Sequence, residues 1–324
     1  MILTIALNPG IEKYISISKY KEGTTIPVNR YDLRIAGSSV YSAYIMRLLQ
    51  AEPYVLGFVG GIGGRYIKNF LDINRIKSSF ITKDKELRTT MLITNELGVV
   101  TKLIDDEEAF NEVDAKNLKH KLTAQIDEAE LALVNGAVLH EGSWKILHQS
   151  IELIKEAHKH WILSVEGDEV LSFIEQSPMA VLLDQAQVEL LTNDAVTLED
   201  TLEQLRQLGI QNTIRYIFFD SGDGLIGVTR NKVTYANIGD QVTLPLAWRK
   251  EAVAGAMAIG VKRRYEFEKI LRLMTGVNFA ISEENYPALC TRKRIDVLSN
   301  KVKLVDYYCN GSYKNSNEEV SDGL

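Results

Sequence analysis

The chain has 324 residues, 45% of them hydrophobic and 25% charged, a composition that fits an ordinary globular protein and excludes a disordered or fibrous one. Its formal charge of −6 argues against nucleic acid as the main partner. No apolar run is long enough to cross a membrane, and two cysteines, Cys290 and Cys309, make neither a disulfide framework nor a metal set, so a cytoplasmic location is expected.

Residues 1–7 read as a first strand that stops at Asn8-Pro9, without the basic start or the cleavage site of a signal peptide. Residues 14–18 and 30–35 alternate apolar with polar, the pattern of an exposed sheet. Residues 88–94 and 99–104 make a hairpin whose turn is spelled out at 95–98. Between these stretches lie a helix over 39–49, a strand over 54–59, and a glycine-rich turn, Gly60-Gly61-Ile62-Gly63-Gly64, opening a helix over 65–74.

From Asn111 the rhythm changes to alternating helix and strand. Leu118, Leu122 and Ile126 mark one apolar helical face. A strand at 131–134, a helix at 143–160, a strand at 161–165 and a helix at 168–175 follow, then short apolar runs at 180–183 and 188–191. A helix over 198–208 leads to a strand at 216–219, a tight turn at 220–224, and a second hairpin of 226–229 with 233–236. His158 and His160 read as helix-end surface residues, since no further ligands accompany them. This alternation implies one α/β domain with a mostly parallel sheet sandwiched by helices and a small β appendage. The tail from Asn310 is polar and expected to be disordered.

The chain is organised around residues 244–260. From Glu251 onward nearly every residue is apolar and small, so the predicted helix belongs in an interior where neighbouring backbones approach closely. Arg249 and Lys250 sit at its entry, against the positive end of the helix dipole. That placement costs stability unless an anion or a carboxylate lies opposite.

These residues resemble the ribokinase-like (PfkB) carbohydrate kinases, most closely the branch of 1-phosphofructokinase and tagatose-6-phosphate kinase. Residues 3–13 look like that branch's "TLNPAIDK", and residues 56–61 with 64–67 look like its "LGFLGG…G.FI". Arg88-Thr89 stands where the branch has a Thr-Arg pair, Val253-Ala254-Gly255 matches its closing signature, and 300–304 its last strand. The resemblance runs to about Asp306. It implies a three-layer α/β/α sandwich over 1–308, with a β lid formed by about 12–36 and 86–105, and a separate tail over 309–324. It makes the glycine-rich turn at 60–64 structural. It also implies phosphoryl transfer from ATP, with Mg, to a sugar phosphate, and a dimer contact through the lid.

The family's site residues carry over only in part. Its catalytic base and anion hole, "GAGD", fall on Ala247, Trp248, Arg249 and Lys250, so a lysine occupies the base position. The sugar-contacting "GGKGxN" becomes residues 36–41, with Gly37, Ser38 and Tyr41 as candidates but neither its Lys nor its Asn. Glu12 stands for the first-strand Asp, and Arg88 falls where the family binds substrate phosphate. The metal-side "NxxE" reads Asn193-Asp194-Ala195-Val196, with Asp194 as a partial substitute for the Glu. The nucleotide-side turn contributes Ser221, Gly222, Asp223 and Gly224. Three readings follow: a non-catalytic or weakly active binder of sugar phosphate or nucleotide, an active kinase with a relocated base at Glu12, Asp240 or Glu251, and a partner subunit of an active paralogue.

Overall fold

A computed structural model describes residues 1–97, 99–105, 109–137, 141–192, 195–239, 250–284, 290–309 and 312–313. Seven strands lie parallel at the centre: β1 (Ile2–Ala6), β4 (Pro53–Gly60), β5 (Lys77–Lys83), β8 (Leu131–Ala137), β9 (His160–Glu166), β10 (Ala180–Leu183) and β11 (Tyr216–Asp220). The antiparallel strands β12 (Gly224–Val228), β13 (Lys232–Asn237), β14 (Lys303–Cys309) and β15 (Ser312–Tyr313) extend one edge. The order is β15-β14-β13-β12-β11-β10-β9-β8-β1-β4-β5. The chain therefore winds away in both directions from the β1–β8 pair, and such a reversal opens a crevice at the carboxyl ends of the strands.

Both faces of this sheet are covered, which is why its strands read as unbroken apolar runs. One layer packs α1 (Ser38–Leu48), α8 (Lys250–Lys262), α9 (Phe267–Glu284) and α10 (Arg292–Lys301) on residues such as Ile2, Leu133, Ile162 and Leu182. The other packs α3 (Glu112–Ile126), α4 (Glu141–Glu156), α5 (Val170–Ile174), α6 (Gln185–Leu191) and α7 (Leu198–Gln211) on Leu3, Val134, Leu163 and Phe219. This is the expected α/β/α sandwich.

The β appendage is a second sheet, β3-β2-β6-β7, built from β2 (Gly10–Ser16), β3 (Arg30–Ala36), β6 (Thr89–Thr94) and β7 (Val100–Ile104). Ile11 and Ile35 root it in a third apolar cluster with Val40 and Ile67. Glu12, Tyr14, Arg34, Asp32, Thr90, Leu92 and Lys102 share one face of this sheet by register and strand alternation.

Several expectations change in detail. The run at 188–191 is helical, because Asp184 and Gln187 form a capping box that starts α6 two residues after the strand ends. Helix α2 (Gly61–Ile73) begins four residues early, because the Glu86 carboxylate accepts from the Ile62 and Gly63 amides at 2.7 Å each. The glycine-rich turn thus holds an anion from its own chain, and a Cβ at Gly61 would overlap that carboxylate. Strands β5 and helices α9 and α10 lie where no element is predicted. The last strand starts at Lys303, after α10, and the tail expected to be disordered supplies Ser312–Tyr313 as a strand paired to Tyr308 and Cys309. No helix among the described residues is long and apolar enough to cross a membrane.

Candidate functional site

Strands β9, β10 and β11 are parallel, so Glu166, Asp184 and Asp220 all reach the same carboxyl edge of the sheet. Helix α8 starts against that edge. Its first residue, Lys250, is 1% exposed, and its ammonium donates to Asp184 Oδ2 at 2.8 Å, Gln187 Oε1 at 2.6 Å and the Val165 carbonyl at 2.8 Å. An ammonium has three donors, and all three are used. The acceptors are held in turn: Gln187 Nε2 donates to the Val165 and Gly167 carbonyls, and Asp184 Oδ1 accepts from the Gln187 amide. Burial pushes the Lys250 pKa down while Asp184 pulls it back. The carboxylate that the helix entry required is therefore Asp184.

A polar seam ties α8 to the sheet. Ser42 donates to the Glu251 carbonyl, Asn135 Nδ2 donates to Ser42 Oγ at 2.7 Å, and Thr4 and Ser39 donate to Asn135 Oδ1 at 3.0 and 2.7 Å. The seam fixes the backbone of Glu251 in the first turn of α8.

Three carboxylates meet there. Burial raises the Glu251 pKa well above the ordinary carboxylate range, helped by the charges of Glu166 and then Glu12 and opposed by Arg88. Burial likewise raises Glu166, against Lys250, and raises Glu12, against the hydrogen bond from Tyr14 Oη at 3.0 Å. Arg88 and Lys102 act on both Glu12 and Glu166. Glu12 lies on the small sheet, Glu166 on the main sheet and Glu251 on the helix, so the carboxylates that act on Glu251 come from two other elements. A carboxylate with a raised pKa holds its proton more tightly folded than unfolded. Each of these three therefore costs stability as pH rises from the ordinary carboxylate value through the raised one.

The other candidates distribute as follows. Gly37, with φ +99°, turns the chain from β3 into α1, and a Cβ there would lie 2.7 Å from Pro9 Cα. Ser38 opens α1. Tyr41 is buried and its hydroxyl donates to the Ile35 carbonyl, which ties α1 to β3. Ser221, Gly222, Asp223 and Gly224 form the turn after β11 on the site's edge, with Gly222 at φ +90° and Ser221 Oγ donating to Asp223 at 3.1 Å. Asn193, Asp194, Asp240, Ala247, Trp248 and Arg249 lie outside the described residues. His158 and His160 sit at the opposite end of β9, about 20 Å from Glu166, where with Lys262 and Arg215 they line a groove of about 810 Å³.

Sequence reasoning missed Asp184, Gln187 and Glu166. Asp184 and Gln187 have the N-x-x-E spacing with the acid and amide exchanged, directly after an apolar strand, and Glu166 is the carboxylate that ends another. A polar residue closing a parallel strand was the available signal.

A mostly parallel sheet covered on both faces, with a second small β-sheet beside it, matches the ribokinase-like fold of solved phosphofructokinases. In sequence the chain is similar to curated 1-phosphofructokinases and tagatose-6-phosphate kinases. It is 22% identical over 310 residues to the 1-phosphofructokinase of Bacillus subtilis, covering 94% of this chain and 99% of that protein. It is also 22% identical over 315 residues to the tagatose-6-phosphate kinase of Staphylococcus epidermidis, covering 94% and 100%. Among solved structures, phosphofructokinase-2 from Escherichia coli in complex with fructose-6-phosphate superposes with a TM-score of 0.81 at 14% identity, covering 92% of this chain and 98% of that one. No family model matches the sequence.

Proposed function

We propose that this chain binds a sugar phosphate or a related small polyol in the cleft below its lid and transfers phosphoryl groups weakly or not at all. The observation that carries this reading is the Lys250 clamp. The resemblance puts a carboxylate base at this position, and here it holds an ammonium whose three donors are all committed to the protein. Such a group has no lone pair to accept a hydroxyl proton. ATP and Mg are the co-reactants the relatives imply. The Asp184 carboxylate is already paired with Lys250 and with the Gln187 amide, so its charge is offset within the protein. The test is ADP release from MgATP by the folded protein, with fructose 1-phosphate, fructose 6-phosphate and tagatose 6-phosphate offered in turn. A trace level with the enzyme-free blank is expected; substrate-dependent ADP overturns the reading.

One observation favours an active enzyme instead. Glu251 follows Lys250 in the first turn of α8, and its raised pKa brings a carboxylate toward the range suited to a general base. In that case Glu251→Gln abolishes whatever turnover the assay records.

The lid supports a partner role as well. Strand β7 is the edge of its sheet and exposes Val100, Leu103 and Ile104, while Tyr31 on β3 is 56% exposed. An apolar edge of this kind is a pairing surface, and we read it as the contact of a homodimer or of a heterodimer with an active paralogue. Sedimentation of the purified chain as a dimer, reduced to a monomer by Leu103→Lys, is the expected outcome.

A further inference from the structure

The wide groove at the amino end of the sheet continues into a second one. The two share Lys159, His160, Met179 and Arg215, and the second has a volume of about 490 Å³. Strand order brings its residues together. His160 starts β9, Met179 immediately precedes β10 and Arg215 immediately precedes β11, and these three strands run side by side. The end of α4 adds Lys155 and the turn after it Lys159, while Ser177 and Thr213 bring hydroxyls from the turns before β10 and β11.

Every acidic or basic side chain lining this second groove is a base: Lys155, Lys159, His160 and Arg215. The chain as a whole carries a formal charge of −6, so its composition does not account for the cluster. The helix dipole accounts for part of it, since Lys155 lies in the last turn of α4, where a cation is favoured. His160 and Arg215 belong to strand entries and have no such reason. Nor does pairing within the protein absorb the charge. Lys159 Nζ donates at 2.8 Å to the Asp127 carbonyl, a neutral acceptor, and Arg215 lies 5.1 Å from the centre of the Tyr216 ring. Lys155 and His160 have no side-chain hydrogen bond or ion pair among the described residues. The wider groove differs: Asp127, Glu128 and Glu130 line it, and Glu130 is paired with Lys262 and the Met1 amine, each at 2.9 Å.

These cations are spread out. Neighbouring strands lie about 4.8 Å apart, so His160 and Arg215, two strands apart, stand about 10 Å from one another at the backbone. One phosphate group meets only some of them, whereas a chain of phosphoryl groups meets them together. The indole of Trp161 is 3% exposed, so the groove offers no indole face on which a nucleobase could stack.

We propose that this groove is a ligand site separate from the cleft and that it takes a short linear polyphosphate, its oxygens facing Lys155, Lys159, His160 and Arg215. The volume lies within the usual range for small-molecule sites.

Titration calorimetry of the full chain with inorganic tripolyphosphate and with orthophosphate tests this. Metal-free neutral buffer with about 0.15 M salt screens long-range attraction. Tripolyphosphate is expected to bind about tenfold or more tightly than orthophosphate, because linked groups engage the cations together. Lys155→Ala and Arg215→Ala are each expected to weaken it by about threefold to fivefold, the upper range for an exposed ion pair. The double variant is expected to erase the preference. Both side chains are exposed, so all three variants are expected to melt at the parent temperature, and lost binding then does not reflect unfolding. Lys102→Ala, on the small sheet, is expected to change neither affinity. Equal affinities for the two anions, or silence with both, overturn the proposal. A preference that survives the double variant, or that Lys102→Ala removes, places the anion elsewhere and overturns it as well.

Discussion

Lys250→Met is expected to destabilise the protein by about 3 kcal/mol, the lower part of the range for removing one partner of a buried ion pair. The side chain it removes is 1% exposed, whereas the Asp184 it abandons is 22% exposed, and that access to water tempers the loss. Gln187 cannot turn to compensate, since its amide nitrogen already donates to two carbonyls. The pair also exceeds its Coulomb energy, because the ammonium joins the end of β9, the cap of α6 and the start of α8. Adding Asp184→Asn to Lys250→Met is expected to restore part of the loss, since replacing both charges leaves none buried alone. Denaturant unfolding of the two single variants and the double one measures this. A cost below about 1 kcal/mol for Lys250→Met would mean the clamp is an ordinary surface pair. The same geometry bears on any attempt to restore the family's base. Lys250→Asp alone sets two carboxylates side by side, so turnover should be sought in Lys250→Asp combined with Asp184→Asn.

This clamp also shows where sequence reasoning stops. That a cation at the start of α8 needs a counter-charge follows from the helix dipole, and it is legible from Lys250 alone. Which carboxylate answers it is not, because Asp184 lies 66 residues away and meets Lys250 only when β10 is placed beside β9. By residue type alone, the N-x-x-E spacing falls on Asn193. The exchange of acid and amide at Asp184 and Gln187 hid the pair whose position at the end of a strand is plain in three dimensions. The fold was far more legible, since it depends on the period of apolar residues and not on their identity. Its omissions are instructive too: α9 and α10 pack mainly on α8 and on each other, so their partners lie outside the β-α alternation that guided the reading.

Gly255→Ala should cost about 2–3 kcal/mol, although alanine favours an isolated helix over glycine by about 1 kcal/mol. A Cβ at Gly255 would stand 2.6 Å from the Ser42 carbonyl oxygen and 3.1 Å from Ser42 Cα, and both are backbone atoms that cannot rotate away. Helix α1 must therefore retreat from α8. Gly209→Ala in α7 is the control: its nearest neighbour is the Ile217 Cδ1 at 3.3 Å, the far end of a flexible side chain, so the propensity gain should roughly cancel the crowding. Thermal unfolding of the two variants side by side separates close approach from helix propensity, and equal melting temperatures would sink the argument. The retreat of α1 has a functional consequence. Ser42 carries the bond to the Glu251 carbonyl and receives the one from Asn135, so the small residue that lets the helices touch also sets where the Glu251 carboxylate enters the cleft. Gly255→Ala is accordingly expected to weaken ligand binding by displacing Glu251 without changing any side chain of the site, which ties the small-residue stripe of α8 to the site at its end.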